Sequence, residues 1–436
     1  MIRSTLGLTA MYVALSLSVQ AQTSLTPAVT SPTGVMNLET AISKALQGSP
    51  AIAAATASLS AADGTLKQSG LLPNPEIGID AENVAGSGPY RGTDSAEYTY
   101  SLSQKVEIGG KRGSRRGVAG AERTATQQSL QATKLDITRD VTIAYGEVLA
   151  AGEKLELVKS RENLAREVLA NVGQRVGAAR DPLIYKNQAE VALATTTLEL
   201  QKTQRDLVLA KRKLASFWGD GILSDSLDPT VLDTTSEPED LSIYQAKLGE
   251  NPDLQRMNSL REAREATLRL EKAQGIPDPT ISVGLRNFRE NREQAMLVGM
   301  SLPIPVFDRN QGNISRAGAE VLQAEQEVKK ARLEAEQALN EAWQDWQSAH
   351  NESTQLQKRI IPSAEEALKL SRQGYERGRF SFLEVLNAQR TLAEAQEQQI
   401  NAEQRQLNAK AVVERLTAGP SVPNPISTTI PTGETK

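Results

Sequence analysis

The sequence predicts a mainly α-helical chain with a small β part, built as two tandem repeats of helix, β-hairpin, very long helix and returning helix. One observation is a heptad seam. Ile137, Val141, Ala144, Val148, Ala151, Leu155, Val158, Glu162, Ala165, Leu169 and Val172 follow alternating steps of four and three, and only Glu162 breaks the apolar stripe. Held for about five heptads, such a seam marks a long helix packed along its length against other helices. A second observation is the return of that seam as Ala335, Leu339, Ala342, Trp346, Ala349, Ser353, Leu356, Ile360, Ser363, Ala367 and Leu370. A chain that makes one very long helix twice is a repeat protein. The third is a pair of alternating apolar–polar stretches ahead of each long helix.

Composition narrows the function classes. The 436 residues suffice for two or three domains or one large repeat. A net charge of −4 gives no reason to expect a nucleic-acid partner. Aromatics are 4%, low for a dense globular core, whereas Ala, Glu, Gln, Leu, Lys and Arg fill the long middle stretches. No Cys and a single His exclude disulfides and thiolate metal sites and argue against a tight transition-metal site. No Ser/His/Asp set or phosphate loop is present, so no enzyme activity, cofactor or bound metal is expected.

Taken in order, the chain opens on Arg3, an apolar run Leu6–Val19, and Val19-Gln20-Ala21 with small residues at the cleavage positions. Residues 1–21 therefore read as a secretory signal peptide. The run is too short to span a bilayer, and with no Cys after the cut the mature chain is not lipidated. Residues 22–37 read as a flexible polar arm. The first repeat covers 38–218. A helix from Leu38 starts on Asn37, and Gly48-Ser49-Pro50 breaks it. A second, Ala-rich helix ends at Pro73-Asn74-Pro75. Strands follow at about 75–84 and 96–106. Ile77, Ile79 and Ala81 alternate against Glu76, Gly78, Asp80 and Glu82, and Tyr98, Tyr100 and Leu102 against Thr99, Ser101, Ser103 and Lys105. This suits either a transmembrane strand pair or an ordinary sheet on a soluble core.

Gly109-Gly110-Lys111-Arg112 joins the second strand to the long helix. It is not a phosphate loop, because the Walker spacing of glycines fails and Arg112 stands where Ser or Thr should be. The helix, about 60 residues and about 90 Å long, ends near Gly177, expected as a left-handed cap. Asp181-Pro182 then starts the returning helix.

A linker at 219–240 precedes the second repeat, 241–418. Asn251-Pro252 and Pro277-Asp278-Pro279 echo the earlier breaks, and strands fall at about 279–288 and 294–303. A long helix is expected without interruption from Asn310 to Gln373, with a tip at Gly374–Phe380 and a returning helix from Ser381 to Thr417. Residues 419–436 read as a disordered tail. His350 is expected to be exposed or to lie between helices.

Four strands per chain cannot close a barrel, and open edges are not tolerated in lipid. If the strands are transmembrane, several chains must share one barrel, and three chains would supply 3 × 4 = 12 strands. The fold expected is then mainly α with a transmembrane β part: a trimer with a 12-stranded β-barrel continuous with an α-helical coiled-coil tunnel.

From about Leu38 to Leu416 the chain resembles the TolC-like outer-membrane factors, the exit ducts of tripartite efflux and type I secretion systems. Ser103–Arg112 and Leu302–Gly312 are similar to the CzcC-type heavy-metal efflux branch. The resemblance implies a homotrimer in the outer-membrane lipid of a Gram-negative bacterium, with its helices in the periplasm. It implies docking on a periplasmic adaptor (a membrane fusion protein), which links the duct to a proton-driven resistance–nodulation–division pump of the inner membrane. The adaptor-contact tips would be Arg175, Val176, Gly177 and Ala178, with Arg377, Gly378, Arg379 and Phe380. Lys369 and Arg372 stand where the best-known members place acidic gate residues. They are the candidate periplasmic gate, which leaves an acidic ring there in doubt. Divalent cations such as cobalt, zinc or cadmium are the expected cargo, with drugs or a secreted polypeptide as the alternative. A periplasmic coiled-coil scaffold or adaptor is the competing class, but an adaptor would carry a single hairpin with Gly- and Val-rich flanks.

Overall fold

A computed structural model of the chain describes residues 34–219, 223, 226–233 and 237–419. The expected signal peptide and the tail beyond Gly419 lie outside the described residues. The first half holds β1 (Val35–Met36), α1 (Leu38–Gly48), α2 (Pro50–Ser69), β2 (Glu76–Glu82), β3 (Glu97–Lys105), α3 (Lys111–Gly177) and α4 (Leu183–Ser216). Then come β4 (Ser226–Leu227) and α5 (Thr230–Asp233). The second half holds α6 (Leu241–Lys247), α7 (Pro252–Gln274), β5 (Thr280–Phe288), β6 (Glu293–Ser301), α8 (Gln311–Gln355), α9 (Ile361–Glu376) and α10 (Phe382–Leu416). Local chemistry sets the starts. The Asn37 side chain accepts from the Thr40 N–H at 2.9 Å, and Asn251 caps α7 the same way through Asp253 N–H at 2.7 Å. Pro50 and Pro252 stand at first-turn positions, where no donor is needed.

The 67 residues of α3 run about 100 Å and pack against α2, α4, α7 and α10. Ile137, Val141, Ala144, Val148, Leu155, Val158 and Val172 of the seam are buried, each large side chain contributing about 1.5–3 kcal/mol. Glu162, the polar break, is buried too. It pairs with Arg166 one turn on and receives the Thr197 hydroxyl of α4 at 3.5 Å.

Two expectations need correcting. The second long helix is not continuous: a π-helical turn, Leu356–Ile360, separates α8 from α9. Pro362 lies just beyond it and cannot donate to the turn before, so the ladder takes in one extra residue. The seam shifts by one. Leu339, Ala342, Trp346, Ala349, Ser353 and Leu356 are buried as expected, but Ile360, Ser363, Ala367 and Leu370 are exposed, and Ala364 and Leu368 are buried instead. The second correction concerns the arm and the linker. Val35–Met36 pairs in parallel with Ser226–Leu227, so both stretches contribute to a two-stranded sheet. Fully buried Tyr145 ties it to α3. Its hydroxyl lies 2.8 Å from the Met36 carbonyl and accepts the Asp228 N–H at 2.9 Å. Burial pushes this phenol up to about 12.

The four long strands form one antiparallel sheet in the order β2-β3-β5-β6. Register aligns apolar rows across it: Ile77, Leu102, Val283 and Val298 in one, Ile79, Tyr100, Leu285 and Met296 in the next. All eight are exposed. The opposite face carries Asp80, Thr99 and Arg286 in one row. Arg286 pairs there with Glu82 at 3.1 Å and Glu97 at 3.0 Å. The outer edges of β2 and β6 have no strand partner among the described residues.

Candidate functional site

Three features carry the functional reading: the sheet, the junction that hangs it on the helices, and the far tips. At the junction, Gly109 and Gly110 take left-handed backbone (φ +74° and +76°), and a Cβ on Gly109 would stand 2.7 Å from Ile276 Cδ1. That turn delivers Lys111 into the protein. Its ammonium lies 2.7 Å from Asp278 and donates to the Ile276 carbonyl at 2.6 Å. Asp278 also accepts the Ile108 N–H at 3.1 Å and lies 3.3 Å from Lys105. Burial alone would raise the Asp278 carboxyl, but Lys111, the Ile108 N–H and Lys105 together hold it below the usual range. Arg112 donates to the Gly70 carbonyl, and Arg115 pairs with Glu107, which lowers the Glu107 carboxyl. The four junction residues picked out from sequence thus join strand to helix, and Lys111 is engaged by protein groups.

At the far end α3 and α9 finish in matching turns. Ala179 N–H bonds to Val176 O and Arg180 N–H to Arg175 O; in the second turn Gly378 N–H bonds to Tyr375 O and Arg379 N–H to Gly374 O. Both are Schellman caps. The expected left-handed cap at Gly177 is corrected here. Gly177 is the last helical residue, and Ala179 takes φ +53°, matching Gly378 at +69°. Alanine carries no signal of such a turn, which is why the sequence drew attention to the neighbouring glycine.

The two tips are tied together. Arg175 Nε donates to Asp181 at 2.8 Å, and the Tyr375 hydroxyl of the other tip donates to the same carboxylate. The Arg175 guanidinium sits 4.5 Å over the Tyr375 ring. Hydrogen bonding from Arg175 lowers the Asp181 carboxyl. Burial, then the bond to Asp181, raises the Tyr375 phenol. Tyr375 and Tyr185 flank buried Phe382 at 5.7 and 5.8 Å, and Val176 joins that core. Phe380 packs on Gly374 with 47% of its surface exposed, while Ala178, Arg377, Gly378 and Arg379 are exposed. Asp181 and Tyr375 carried no functional expectation from sequence. Lys369 is exposed and pairs with Glu366 of its own helix at 3.1 Å, and half-buried Arg372 has no ion pair among the described residues. His350 stands 3.0 Å from Gln406 of α10.

The profile of the outer membrane efflux protein family matches residues 41–220 and 243–419. The chain belongs to the outer membrane efflux protein family. Among its relatives, the cobalt-zinc-cadmium resistance protein CzcC of Cupriavidus metallidurans is 26% identical over 88% of this chain and 90% of its own. The nickel and cobalt resistance protein CnrC of the same organism is 27% identical over 69% and 71%. These relatives bear out the resemblance to the CzcC-type branch. Among solved structures, CusC shares the fold at a TM-score of 0.76 and 19% identity, covering 88% of this chain and 92% of that one. The outer membrane protein VceC of Vibrio cholerae does so at 0.73 and 22%, covering 88% and 96%. Family and fold are those of outer-membrane efflux channels. No helix among the described residues is long and apolar enough to cross a membrane.

Proposed function

We propose that the chain is the outer-membrane exit duct of a tripartite, proton-driven efflux system and passes divalent heavy-metal cations outward. One observation carries this reading. A four-stranded sheet with an exposed apolar face, and with two edges unpaired among the described residues, stands at the end of a helix, α3, about 100 Å long. Lipid accommodates the apolar face, and closure with other copies removes the edges. Three copies give 12 strands, with the polar face turned to the lumen and the helices forming the periplasmic tunnel. The tips Arg175–Ala178 and Arg377–Phe380 meet the adaptor, and Lys369 and Arg372 line the periplasmic constriction. Energy comes from the inner-membrane pump reached through the adaptor. The cargo assignment draws on the metal-resistance relatives CzcC and CnrC.

The test is a deletion strain grown across cobalt, zinc, cadmium, nickel and copper salts, with dyes and antibiotics in parallel. Metal sensitivity restored by the cloned gene is expected, and sensitivity to organic compounds alone overturns the cargo. Cell fractionation tests the duct itself: a soluble, monomeric periplasmic protein is incompatible with it.

A further inference from the structure

We propose that the end of α2 and the first turns of α3 form a phosphate site, built on Lys67, Arg112 and Arg116, that holds the headgroup of an anionic phospholipid in the membrane around the sheet. The site rests on the outer-membrane reading above and adds a ligand to it.

The three cations meet around Gly70, the C-cap of α2. Lys67 lies one turn before it, and the Gly70 N–H bonds the Lys67 carbonyl at 3.2 Å. Arg112 donates from Nε to the Gly70 carbonyl. The Arg116 stem lies against the same glycine, where an added Cβ would stand 3.3 Å from Arg116 Cδ. All three residues are exposed, and none has an ion pair among the described residues. The second repeat shows the same corner neutralised. α3 and α8 start on left-handed N-caps, Gly110 and Asn310, which align Arg116 with Arg316. α2 and α7 end on Gly70 and Gly275, which align Lys67 with Lys272. Arg316 is held by Glu271 at 3.5 Å and Glu320 at 2.7 Å. Leu66 and Gly120 stand at the matching positions of the first repeat, so Arg116 has neither carboxylate. Asp63, the one acid of α2, pairs with Arg123 at 2.7 Å, Glu107 pairs with Arg115, and α3 carries no acid before Glu122. Cations gathered without carboxylates attract an anion from outside the chain.

The surroundings select the source of that anion. Leu71 and Leu72, the residues after Gly70, are 52% and 63% exposed, and beyond them Ile77 and Ile79 open the exposed apolar face of the sheet. A strand of nine residues, such as β3, is long enough to cross the hydrocarbon layer when tilted. The cluster at the helix end of the strands then stands at the water boundary, at the depth of the headgroups. An amphiphile fits this order of surfaces. Its phosphate meets the guanidinium groups, whose forked N–H donors match phosphate oxygens, and its acyl chain lies along the leucines. Free phosphate makes no use of the leucines.

The test is native mass spectrometry of the full-length protein, purified in a neutral detergent and titrated with dimyristoylphosphatidylglycerol. Dimyristoylglycerol, which has the same chains and no phosphate, is titrated in parallel, and inorganic phosphate is added as a competitor. Phosphatidylglycerol is expected to bind the parent in preference to dimyristoylglycerol. Lys67→Gln with Arg116→Gln should weaken it about thirtyfold, and leaves the Arg112 cap of α2 in place. Lys67→Arg with Arg116→Lys, which retains both charges, should keep most of the binding. Lys272→Gln with Arg316→Gln, the matching change in the second repeat, should leave it unchanged. Equal loss in both glutamine pairs, loss in neither, or no preference for the phosphate-bearing lipid overturns the site. Displacement of the lipid by inorganic phosphate assigns the cluster to a free anion and overturns the lipid as its ligand. A protein that fractionates as soluble fails the outer-membrane reading and takes the site with it. An outer-membrane protein without the phosphate preference fails the site alone.

Discussion

Ala179 holds a left-handed backbone (φ +53°) that costs an L side chain about 1–2 kcal/mol, while Gly378 makes the matching turn freely. Ala179→Gly is therefore expected to stabilise its tip by about 1 kcal/mol, and Gly378→Ala to destabilise the other by a similar amount. Hydrogen exchange of the amides in 174–182 and 373–381 reads both, and equal exchange in the variants and the parent would refute the argument. The Asp181 tie is the second point where one residue matters. Asp181→Asn removes the charge that Arg175 and Tyr375 share, a loss of about 2 kcal/mol, seen as faster exchange in both tips while the rest of α3 is unchanged. Its pH dependence has a definite sign. The folded carboxyl titrates below its ordinary 3.8, so the tie contributes fully above that value and is lost as pH falls through the depressed folded one. Little of this was legible in the sequence. Asp181 reads locally as a helix start, and its bond to Tyr375 spans 194 residues that no local pattern connects.

Elements with a strong period were legible; those set by a single residue or by distant pairing were not. The seams of α3 and α8 and the alternation in β2, β3, β5 and β6 follow from side-chain periodicity, which one strand or helix displays by itself. β1 and β4 are two residues each, too short for any period, and are tied to α3 by the Tyr145 hydroxyl, which bonds Met36 of β1 and Asp228 just beyond β4. The π turn has a signal in Pro362, but the four-and-three spacing of apolar residues continues across it in the sequence and masks the break. At the junction, the spacing of Gly109-Gly110-Lys111 excluded a phosphate loop but did not reveal Asp278 as the partner of Lys111. That pair makes a sharp test, since both side chains are nearly buried (10% and 3% exposed). Asp278→Ala leaves the ammonium without its counter-charge and is expected to cost about 3–5 kcal/mol. The loss would show as a lower thermal midpoint and less assembled protein in the outer membrane. Replacing both residues with apolar ones of similar size should recover much of it. An Asp278→Ala protein as stable as the parent would mean that the pair is solvated and not structural.

For the whole molecule, the proposed duct makes selectivity a matter of which charges the polar sheet face would present to a lumen. Glu76, Asp80 and Glu82 of β2, Glu97 of β3 and Glu293 of β6 share that face with Lys105 and Arg286. Arg286 is held by Glu82 and Glu97, and Lys105 leans toward Asp278 at the lower rim. The surplus on this face is negative, and the proposed assembly would concentrate it in one narrow space, where like charges raise the local concentration of cations. Conduction needs such weak, distributed attraction and not a tight site. The duct in a planar bilayer under a salt gradient is therefore expected to show a cation-selective reversal potential. Asp80→Lys with Glu82→Lys should move it toward zero or beyond. The effect should also shrink between 0.1 M and 1 M salt, as the screening length falls from about 10 Å to about 3 Å. A reversal potential indifferent to both the charge swap and the salt would place selectivity elsewhere along the proposed duct, with the proposed constriction at Lys369 and Arg372 the next place to measure.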